Sequence, residues 1–539
     1  MEYLSTLILA ILVTSLTVPL LRHLALHFNL VDLPNERKVH TQPIPRVGGV
    51  GMALGACLPL LFWGWDNSFI HAYLCAAAVL IVFGIADDLL DISPGWKLVG
   101  QIAAACIVIY LGRVQIVTFG MLLPEGFLIP EWISLLLTLI AIVGVTNAIN
   151  LADGLDGLAG GISLLCIATI GLLAWQGGEE NLGLIAIALC GAIFGFLRYN
   201  TFPASVFMGD TGSQLLGFTA ITIALSLTQK STALSPVVPL LILGFPILDT
   251  VTVMCGRIAH KRSPFSADKN HFHHNLLELG LRQPESVLVI YMIQVSLIVL
   301  AYTLRFYSDL LLLGGYLIFS ALVLTVFNVC RLYNWTLKRD ASFDTPKVYM
   351  LWLRRHIKSI FRALCGLYPV LLVLTVLFSG RPSGQVAMTA ALFLLLMVGI
   401  RLALPHRFEV MLKSLVYIIV PYGVFLTDEW IVGQPPFVEW GYESLFILLV
   451  LLCILVSKLT RRMVGFKSTP LDFLIICIVM MPLLPILDEN SHRMGHVIAR
   501  IIIMYYGCEV LIPELRGRYR VVTAGVAAAL LLVLVRWFL

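Results

Sequence analysis

The chain has 539 residues, of which 59% are hydrophobic and only 12% are charged. Soluble domains carry about 25% charged residues, so this composition excludes a soluble globular protein and indicates a bilayer environment. The net charge of +5 is small for this length and comes from loop lysines and arginines, which argues against a nucleic-acid-binding surface. The eleven cysteines form no Cys-x-x-Cys pair, so neither a disulfide framework nor a thiolate zinc site is predicted.

Apolar runs of about 17 to 25 residues, long enough to cross about 30 Å of hydrocarbon, recur along the whole chain. Eleven such spans are predicted before residue 331, at 3–21, 47–65, 70–86, 96–112, 132–148, 158–175, 182–197, 212–228, 235–256, 286–304 and 309–330. About seven more are predicted after residue 362. The pattern predicts an all-α polytopic membrane protein with about eighteen transmembrane helices.

Composition divides the chain into three parts. Residues 1–330 form a first membrane domain, which carries every polar motif described below. Residues 331–362 are basic and less apolar, which is typical of a cytoplasmic linker. Residues 363–539 form a C-terminal multi-span membrane domain whose role the sequence does not indicate.

Loop charges predict the orientation of the spans. Arg22 and His23 follow the first span and no basic leader precedes it, so we expect an outside amino terminus and no cleavable signal peptide. The loop at 257–285 then lies inside and holds five lysines and arginines, whereas the alternate loops hold few. Counting crossings in this way places every cluster of polar side chains at the cytoplasmic face.

The first cluster in chain order consists of Asp87, Asp88 and Asp91 at the end of the third span. At helical spacing Asp87 and Asp91 share a face, and like charges so close raise one another's pKa unless a cation joins them. A solvated helix end is the plain alternative. A position at the membrane edge favours a cluster held by Mg²⁺, since hard divalent cations prefer carboxylate oxygens.

The stretch from Asn147 to Gly161 is the most specific in the chain. Polar side chains recur every three residues at Asn147, Asn150, Asp153 and Asp156, and glycines then allow the backbone to approach a ligand closely. The spacing and the terminal glutamate of an EF-hand loop are absent, which excludes a calcium loop of that type. A simple polar turn between spans does not need so many amide and acid groups.

Asp210 follows Phe207-Met208-Gly209 at the amino end of another span. It could be a helix N-cap, with the nearby hydroxyls as helpers. The exposed backbone amides of a helix start also suit phosphate.

The histidines His271, His273 and His274 lie in the basic inside loop. A zinc site is one interpretation, but the usual i, i+4 spacing is lacking. A cationic site for a diphosphate is favoured, because it also explains the lysines and arginines. Carboxylates for Mg²⁺, a cationic loop and a membrane-edge setting together indicate phosphoryl transfer between a water-soluble donor and a lipid acceptor.

These residues resemble the polyprenyl-phosphate N-acetylhexosamine-1-phosphate transferases. The blocks that carry the resemblance occur in order over residues 1–330: 32–34, 37–40, 45–49, Asp87-Asp88-x-x-Asp91, 97–101, 147–161, 207–213, Pro246-x-x-Asp249 and 267–274. The resemblance implies that residues 1–330 are a sugar-1-phosphate transferase domain with eleven helices. The region after residue 331 has no counterpart in the resemblance.

The resemblance also implies a reaction and roles for individual residues. Polyprenyl phosphate attacks the sugar-linked phosphorus of a UDP-sugar and releases UMP, with Mg²⁺ as the cofactor and Mn²⁺ as an alternative. Asp210 is then the principal metal ligand and a catalytic residue, with Asp87 and Asp88 as a catalytic pair of which either could act as the base. The remaining matched positions are Asn147, Asn150, Asp153 and Asp156 for nucleotide and sugar, Lys97, His271, His273 and His274 for phosphate, and Arg37, Lys38, His40 and Arg46 as substrate-loop contacts.

Phe272 interrupts the histidines, which resembles the branch that uses UDP-N-acetylglucosamine to begin O-antigen, enterobacterial common antigen or teichoic-acid assembly. The implied partners are a UDP-N-acetylhexosamine, undecaprenyl or another polyprenyl phosphate and membrane lipids, with no nucleic acid; a homodimer is compatible with the resemblance. The expected location is the bacterial inner membrane. The alternative is a multi-span transporter or lipid-handling protein without transferase activity, since many helices suit alternating access.

Overall fold

The structure is a computed structural model of the chain. The structure describes residues 2–28, 30–32, 43–124, 127–230, 234–263, 271–333, 335–337, 348–379, 381–382, 384–403, 408–431, 434–460, 473–474, 489–515 and 519–538. Two compact units are present, the first covering Met1–Lys338 and the second covering Arg339–Ser468 and Asp472–Leu539.

The described part of the first unit is built from helices and one short strand pair. The helices are α1 (Glu2–His27), α2 (Gly48–Trp63), α3 (Ser68–Leu90), α4 (Pro94–Tyr110), α5 (Glu131–Leu151), α6 (Leu158–Gln176), α7 (Glu180–Asn200), α8 (Gly209–Lys230), α9 (Val238–Ile242), α10 (Gly244–Ala259), α11 (Phe272–Glu278), α12 (Gln283–Leu304) and α13 (Asp309–Leu332). Strands β1 (Val31–Asp32) and β2 (Ile44–Pro45) pair antiparallel. The prediction of an all-α polytopic membrane protein is confirmed, and twelve helices of the described chain are long and apolar enough to cross a bilayer.

The span predicted at 235–256 is not continuous, because it divides into α9 and α10 at Leu243. A broken helix inside a bilayer needs partners for the backbone groups that it frees. Gln294 supplies them from α12: its Nε2 donates to the Ile242 carbonyl at 2.7 Å and its Oε1 accepts from the Phe245 amide at 3.3 Å. The Tyr316 hydroxyl donates to the Gly244 carbonyl at 3.1 Å. The break is therefore stabilised from neighbouring helices, which the local sequence does not reveal.

Helix α8 forms the core of the first unit. It packs against α2, α3, α5 and α6, and its membrane-spanning segment is wholly buried. Its mean hydropathy of 1.2 is the lowest among the candidate spans, because hydroxyl side chains recur along it. Thr219 and Thr228 donate to the carbonyls four residues earlier, so these two hydroxyls are satisfied within the bilayer.

The alternation of helices brings several helix ends together at the start of α8. Helices α3, α5 and α7 end there, and α4, α6 and α8 begin there. The segment after β2 pairs with the segment before α8: Phe207 N–H donates to the Pro45 carbonyl at 2.8 Å, and the amides of Gly48 and Gly49 donate to the carbonyls of Phe207 and Met208 at 2.9 and 2.8 Å. Two sequence blocks far apart in the chain thus form one rigid rim.

The second unit is also helical over its described residues. Its helices are α14 (Val348–Leu377), α15 (Gly384–Ala403), α16 (Phe408–Ile431), α17 (Pro436–Thr460), α18 (Glu489–Glu514) and α19 (Arg520–Phe538). Half of the segment predicted as a basic linker, from residue 348 onward, belongs to α14. Most of the residues between α17 and α18 lie outside the described part, so the structure does not test the prediction of about seven spans over this stretch.

A buried network of charged side chains connects three helices of the second unit. Arg500 of α18 donates from Nη1 to Asp428 of α16 at 2.9 Å and from Nη2 to Glu443 of α17 at 2.5 Å. His496 Nδ1 lies 3.0 Å from the same Glu443 oxygen. Arg500 and Asp428 are almost fully enclosed, at 3% and 7% side-chain exposure, so each charge depends on its partner.

Candidate active site

The lysine predicted to bind phosphate lies between two of the predicted catalytic carboxylates. Lys97 Nζ, in the first turn of α4, lies 2.6 Å from Asp87 Oδ2 and directly contacts Asp210 Oδ2. Asp87 comes from the end of α3 and Asp210 from the start of α8. One ammonium from α4 therefore contacts two carboxylates, which α3 and α8 bring to the same place.

The neighbouring carboxylate of Asp88 has a different environment. Its Oδ1 accepts a hydrogen bond from Asp210 N–H at 2.8 Å. Its Oδ2 accepts from the Thr211 amide at 3.1 Å and from the Thr211 hydroxyl at 2.7 Å. The first amides of a helix have no partner within the helix, so Asp88 caps α8 from outside.

The two asparagines of α5 also reach this point. Asn150 Nδ2 donates to Asp210 Oδ1 at 2.9 Å. Asn147 exchanges two hydrogen bonds with the amide of Gln101, at 2.7 and 3.3 Å, and Gln101 also donates to Gln214 Oε1 at 3.3 Å. A buried chain of amides thus connects α4, α5 and α8 directly behind the carboxylates.

The two aspartates of the loop after α5, Asp153 and Asp156, differ in their surroundings. Asp156 Oδ2 accepts from the Ala204 amide at 2.9 Å, which ties this loop to the segment before α8. Burial, followed by the negative charges of Asp210, Asp156 and Asp88, raises the pKa of Asp153 to about 8. A cation bound nearby would favour the ionised form of Asp153.

The predicted histidines lie close together at the start of α11. His271 Nδ1 lies 2.9 Å from Asp249 Oδ2, and Asp249 Oδ1 accepts from the Phe272 amide at 2.8 Å. The ring of His273 stacks on that of His271, with centroids 5.9 Å apart, and packs against that of His274 at 4.3 Å. Asp249 thus both orients the first imidazole and caps the helix that carries the other two.

The histidine group meets the Asn147–Gly161 block at Gly154. A Cβ built on Gly154 would overlap the His273 imidazole, with Cε1 only 2.6 Å away. Glycine is therefore required there for the ring to approach the backbone. The two blocks, more than a hundred residues apart in the chain, form one continuous site.

Asp91 does not belong to the acidic group, so the expectation that it shares a face with Asp87 is wrong. Helix α3 ends at Leu90, and Asp91 adopts a left-handed conformation with φ of 46°. Its side chain is 92% exposed and lies 3.7 Å from Arg46 Nη1. Arg46 also pairs with Asp32 of β1 at the rim of the site.

The other predicted loop contacts, Arg37, Lys38 and His40, lie outside the described residues.

The carboxylates of Asp87 and Asp210 offer oxygen atoms, with the Asn150 amide beside Asp210. Across the described ranges, no group of three or more His, Cys, Asp or Glu side chains has the arrangement of a closed metal site. Such oxygens fit Mg²⁺, which is usually held by one or two carboxylates and completes its shell with water and substrate phosphates. They do not fit zinc, which prefers nitrogen and sulfur.

Two further side chains shape the site without having been predicted. Asn200, the last residue of α7, accepts from the Gly157 amide at 2.9 Å and donates to the Val206 carbonyl at 3.0 Å. The Tyr291 hydroxyl of α12 donates to the Gly157 carbonyl at 2.5 Å. Both hold the loop after α5 in place. A polar residue at the end of an apolar helix is a weak signal for Asn200, and nothing in the local sequence singles out Tyr291.

Known proteins similar to this chain match the part that carries the site. The model of glycosyl transferase family 4 matches residues 70–228, which run from α3 to α8. A probable undecaprenyl-phosphate N-acetylglucosaminyl 1-phosphate transferase from Bacillus subtilis (strain 168) is 38% identical over 298 residues, 54% of this chain and 83% of the relative.

Two further relatives show a similar extent. The undecaprenyl-phosphate alpha-N-acetylglucosaminyl 1-phosphate transferase of Escherichia coli (strain K12) is 34% identical, over 52% of this chain and 77% of the relative. A decaprenyl-phosphate N-acetylglucosaminephosphotransferase of Mycolicibacterium smegmatis is also 34% identical, over the same shares. These matches confirm the resemblance drawn from the motifs, and the chain belongs to glycosyl transferase family 4.

Proposed function

We propose that the protein transfers N-acetylglucosamine-1-phosphate from UDP-N-acetylglucosamine to undecaprenyl phosphate and releases UMP. The observation that carries this proposal is the meeting of Lys97, Asp87 and Asp210 with the Asn150 amide at one end of a membrane helix bundle. Charges of both signs and amide donors in one place suit a diphosphate, a sugar and a cation. The names of the relatives supply the donor sugar and the lipid.

The reaction requires little covalent chemistry from the protein itself. An oxygen of the lipid phosphate forms a bond to the sugar-linked phosphorus, and the bond from that phosphorus to the UMP oxygen breaks, so UMP leaves with the bonding electrons. The lipid phosphate is mostly dianionic at pH 7, since its second pKa is about 6. Catalysis then depends on bringing the lipid phosphate next to the two phosphates of the UDP-sugar and on offsetting the negative charge of all three.

We propose Mg²⁺ as the cofactor, with Asp210 as its principal ligand and Asp87 beside it. When bound, the ion would neutralise the diphosphate and stabilise the leaving UMP. The protein's own part is to hold these oxygens: Lys97 contacts Asp87 and Asp210, and Asn150 donates to Asp210. We propose that His271, oriented by Asp249, and His273, stacked on it, contact phosphate oxygens of the nucleotide.

We propose that the site faces the cytoplasm across the inner membrane and that residues 1–330 carry the activity. The inside position rests on the loop charges, and the extent rests on the relatives, whose matches cover only about half of this chain. Deletion of 340–539 tests the extent, because UMP release should survive it.

The function is tested with the purified full chain, undecaprenyl phosphate and UDP-N-acetylglucosamine, with UMP and the lipid product followed by mass spectrometry. We expect UMP and lipid-linked product in equal amounts, only when a divalent cation is supplied. Asp210→Asn should abolish turnover while thermal unfolding changes little. Absence of UMP release with every UDP-sugar tried, or near-normal activity of Asp210→Asn over a wide range of Mg²⁺, would contradict the proposal.

A further inference from the structure

We infer that Asp88 is a positioning residue, which holds Asp210 in place, and that Asp87 is the member of the aspartate pair that meets the reacting groups. The inference rests on the proposed transferase function and deepens it. The sequence leaves the two adjacent aspartates equivalent, whereas the structure gives them different partners.

The carboxylate of Asp88 is occupied by the first turn of α8. It accepts three hydrogen bonds, two from successive backbone amides at 2.8 and 3.1 Å and one from the Thr211 hydroxyl at 2.7 Å. A carboxylate offers about four lone-pair positions, so little acceptor capacity is left for a substrate proton. Its contacts are those of a helix cap supplied by a different helix.

The close approach of α3 and α8 is built into the chain by glycines on both sides. A Cβ on Gly84, one turn before Asp88, would lie 2.5 Å from the Thr211 Cα. Gly209 has φ of +68°, a conformation that favours glycine, and a Cβ there would overlap the Asp88 carboxylate. The geometry therefore serves to bring this carboxylate onto the start of α8.

Asp87 lies about 100° further round the helix and has the other environment. Its Oδ2 is 2.6 Å from Lys97 Nζ, the same atom that contacts Asp210 Oδ2. The backbone of Asp210 is thus held by Asp88, and its side chain is held by Lys97 and Asn150. Removing the cap should displace Asp210 without removing a group that touches substrate.

The first test compares Asp88→Asn with Asp88→Ala in UMP release. Asparagine keeps one acceptor oxygen for an α8 amide, and the Thr211 hydroxyl can turn to accept from the new amide. We expect kcat/KM to fall about 10-fold for Asp88→Asn and about 100-fold for Asp88→Ala, as for the loss of hydrogen bonds to a charged group. The pH profile of kcat should keep the shape of the wild type in both.

If Asp88 were instead the general base, the two variants would give a different result. Neither asparagine nor alanine can take a proton, so both variants would lose activity equally, by about 10²- to 10⁴-fold, and the acid limb of the profile would disappear. That outcome would overturn the inference. Asp87→Asn is the comparison, and its loss should be larger than that of Asp88→Asn.

A double-mutant cycle with Thr211→Val tests the contact itself. Thr211 is fully buried and valine has nearly its shape, so the substitution removes mainly the hydroxyl that donates to Asp88. The losses of Asp88→Asn and Thr211→Val should be clearly non-additive, both in kcat/KM and in thermal unfolding. Additive losses would mean that the contact does not position the site.

The matched control is Asn67, the N-cap of α3, which lies at the opposite end of the helix that carries Asp88. Asn67 Oδ1 accepts from the amides of Phe69 and Ile70 at 2.9 and 3.2 Å and caps α3. Asn67→Ala should lower thermal stability, yet leave kcat and its pH profile unchanged. An equal loss of kcat in Asn67→Ala would reduce Asp88 to a general stabiliser of the bundle. Inactive wild-type protein would instead refute the proposed function, so the two failures are distinguishable.

Discussion

Asp249 holds His271 through the Nδ1 atom of the imidazole, with the two atoms 2.9 Å apart and both side chains buried. The second oxygen of the same carboxylate accepts from the Phe272 amide at 2.8 Å. This pairing turns the opposite ring nitrogen, Nε2, away from Asp249. An imidazole oriented by a carboxylate is a recurrent device for presenting one nitrogen to a ligand.

Asp249→Asn should therefore impair the reaction by releasing His271 from its orientation, because Asp249 itself does not contact the substrate. We expect kcat/KM for the UDP-sugar to fall about 10- to 100-fold, since one charge-assisted hydrogen bond is lost. The rate of UMP release measures this fall in kcat/KM. Asp309→Asn is the matched control, because Asp309, at the start of α13, is equally buried and accepts from the Met121 amide at 2.6 Å. An equal loss in both variants would indicate general destabilisation.

Gly154→Ala should reduce activity by steric conflict. The added methyl group would overlap the imidazole of His273, which is only 3% exposed and has little room to move. Overpacking of this kind costs about 1–3 kcal/mol, and here the displaced group lies in the site. UMP release and thermal unfolding should both decline.

Gly256→Ala provides the control for this substitution. Gly256 lies in α10, and no atom lies within 4 Å of the position that its Cβ would take. Alanine there should be neutral or stabilise the helix by about 0.5–1 kcal/mol. Full activity of Gly154→Ala would show that His273 is not held against this loop.

Acidification should destabilise the fold partly through His273. Burial, followed by the nearby His274, lowers the pKa of His273 to about 3, while Asp249 opposes the shift. The unfolded imidazole titrates near 6.5, so the unfolded state binds more protons between about pH 6.5 and pH 3. Stability from this residue is therefore complete above about pH 6.5 and is lost as the pH falls towards 3.

Thermal unfolding at pH 7.5 and pH 5 measures this effect. Wild-type protein should lose more stability on acidification than His273→Gln, whose side chain does not titrate. His260→Gln, at an exposed position after α10, should follow the wild type. Equal slopes for wild type and His273→Gln would disprove the buried neutral imidazole.

Arg500→Met should destabilise the second unit. It would leave the carboxylates of Asp428 and Glu443 close together without their shared cation, which costs about 3–5 kcal/mol for a buried pair. Limited proteolysis of the second unit with rising temperature measures the loss. Arg362→Met, on an exposed part of α14, should have little effect.

Neutralising the two acids together should restore part of that stability. Adding Asp428→Asn and Glu443→Gln to Arg500→Met removes the uncompensated charges, so the triple variant should resist proteolysis better than Arg500→Met alone. A triple variant less stable than the single one would show that the carboxylates have partners beyond Arg500 and His496.

The order of the apolar helices in the first unit was predictable, because apolar length is a local property of the chain, although α2 and α4 are shorter than a full span. The predicted run at 182–197 corresponds to α7, and that at 286–304 to α12. The break at Leu243 was not predictable, since it depends on the amide of Gln294, about fifty residues further on. The same limit applies to Gln101, whose buried amide joins Asn147 and Gln214 only after α4, α5 and α8 have packed.

The sequence by itself determined the class of protein and the polar residues available for chemistry, because hydropathy and motif spacing are written locally. The sequence could not distinguish the environment of Asp87 from that of Asp88, nor exclude Asp91 from the acidic group, since all three lie within about one helical turn of each other. The tertiary structure gives the three side chains different partners. Packing against α8 occupies Asp88, the proximity of α4 supplies Lys97 to Asp87, and the end of α3 turns Asp91 to solvent. The physical reason is that a helical side chain's role depends on which neighbouring helix its face meets, and that neighbour comes from a distant part of the chain.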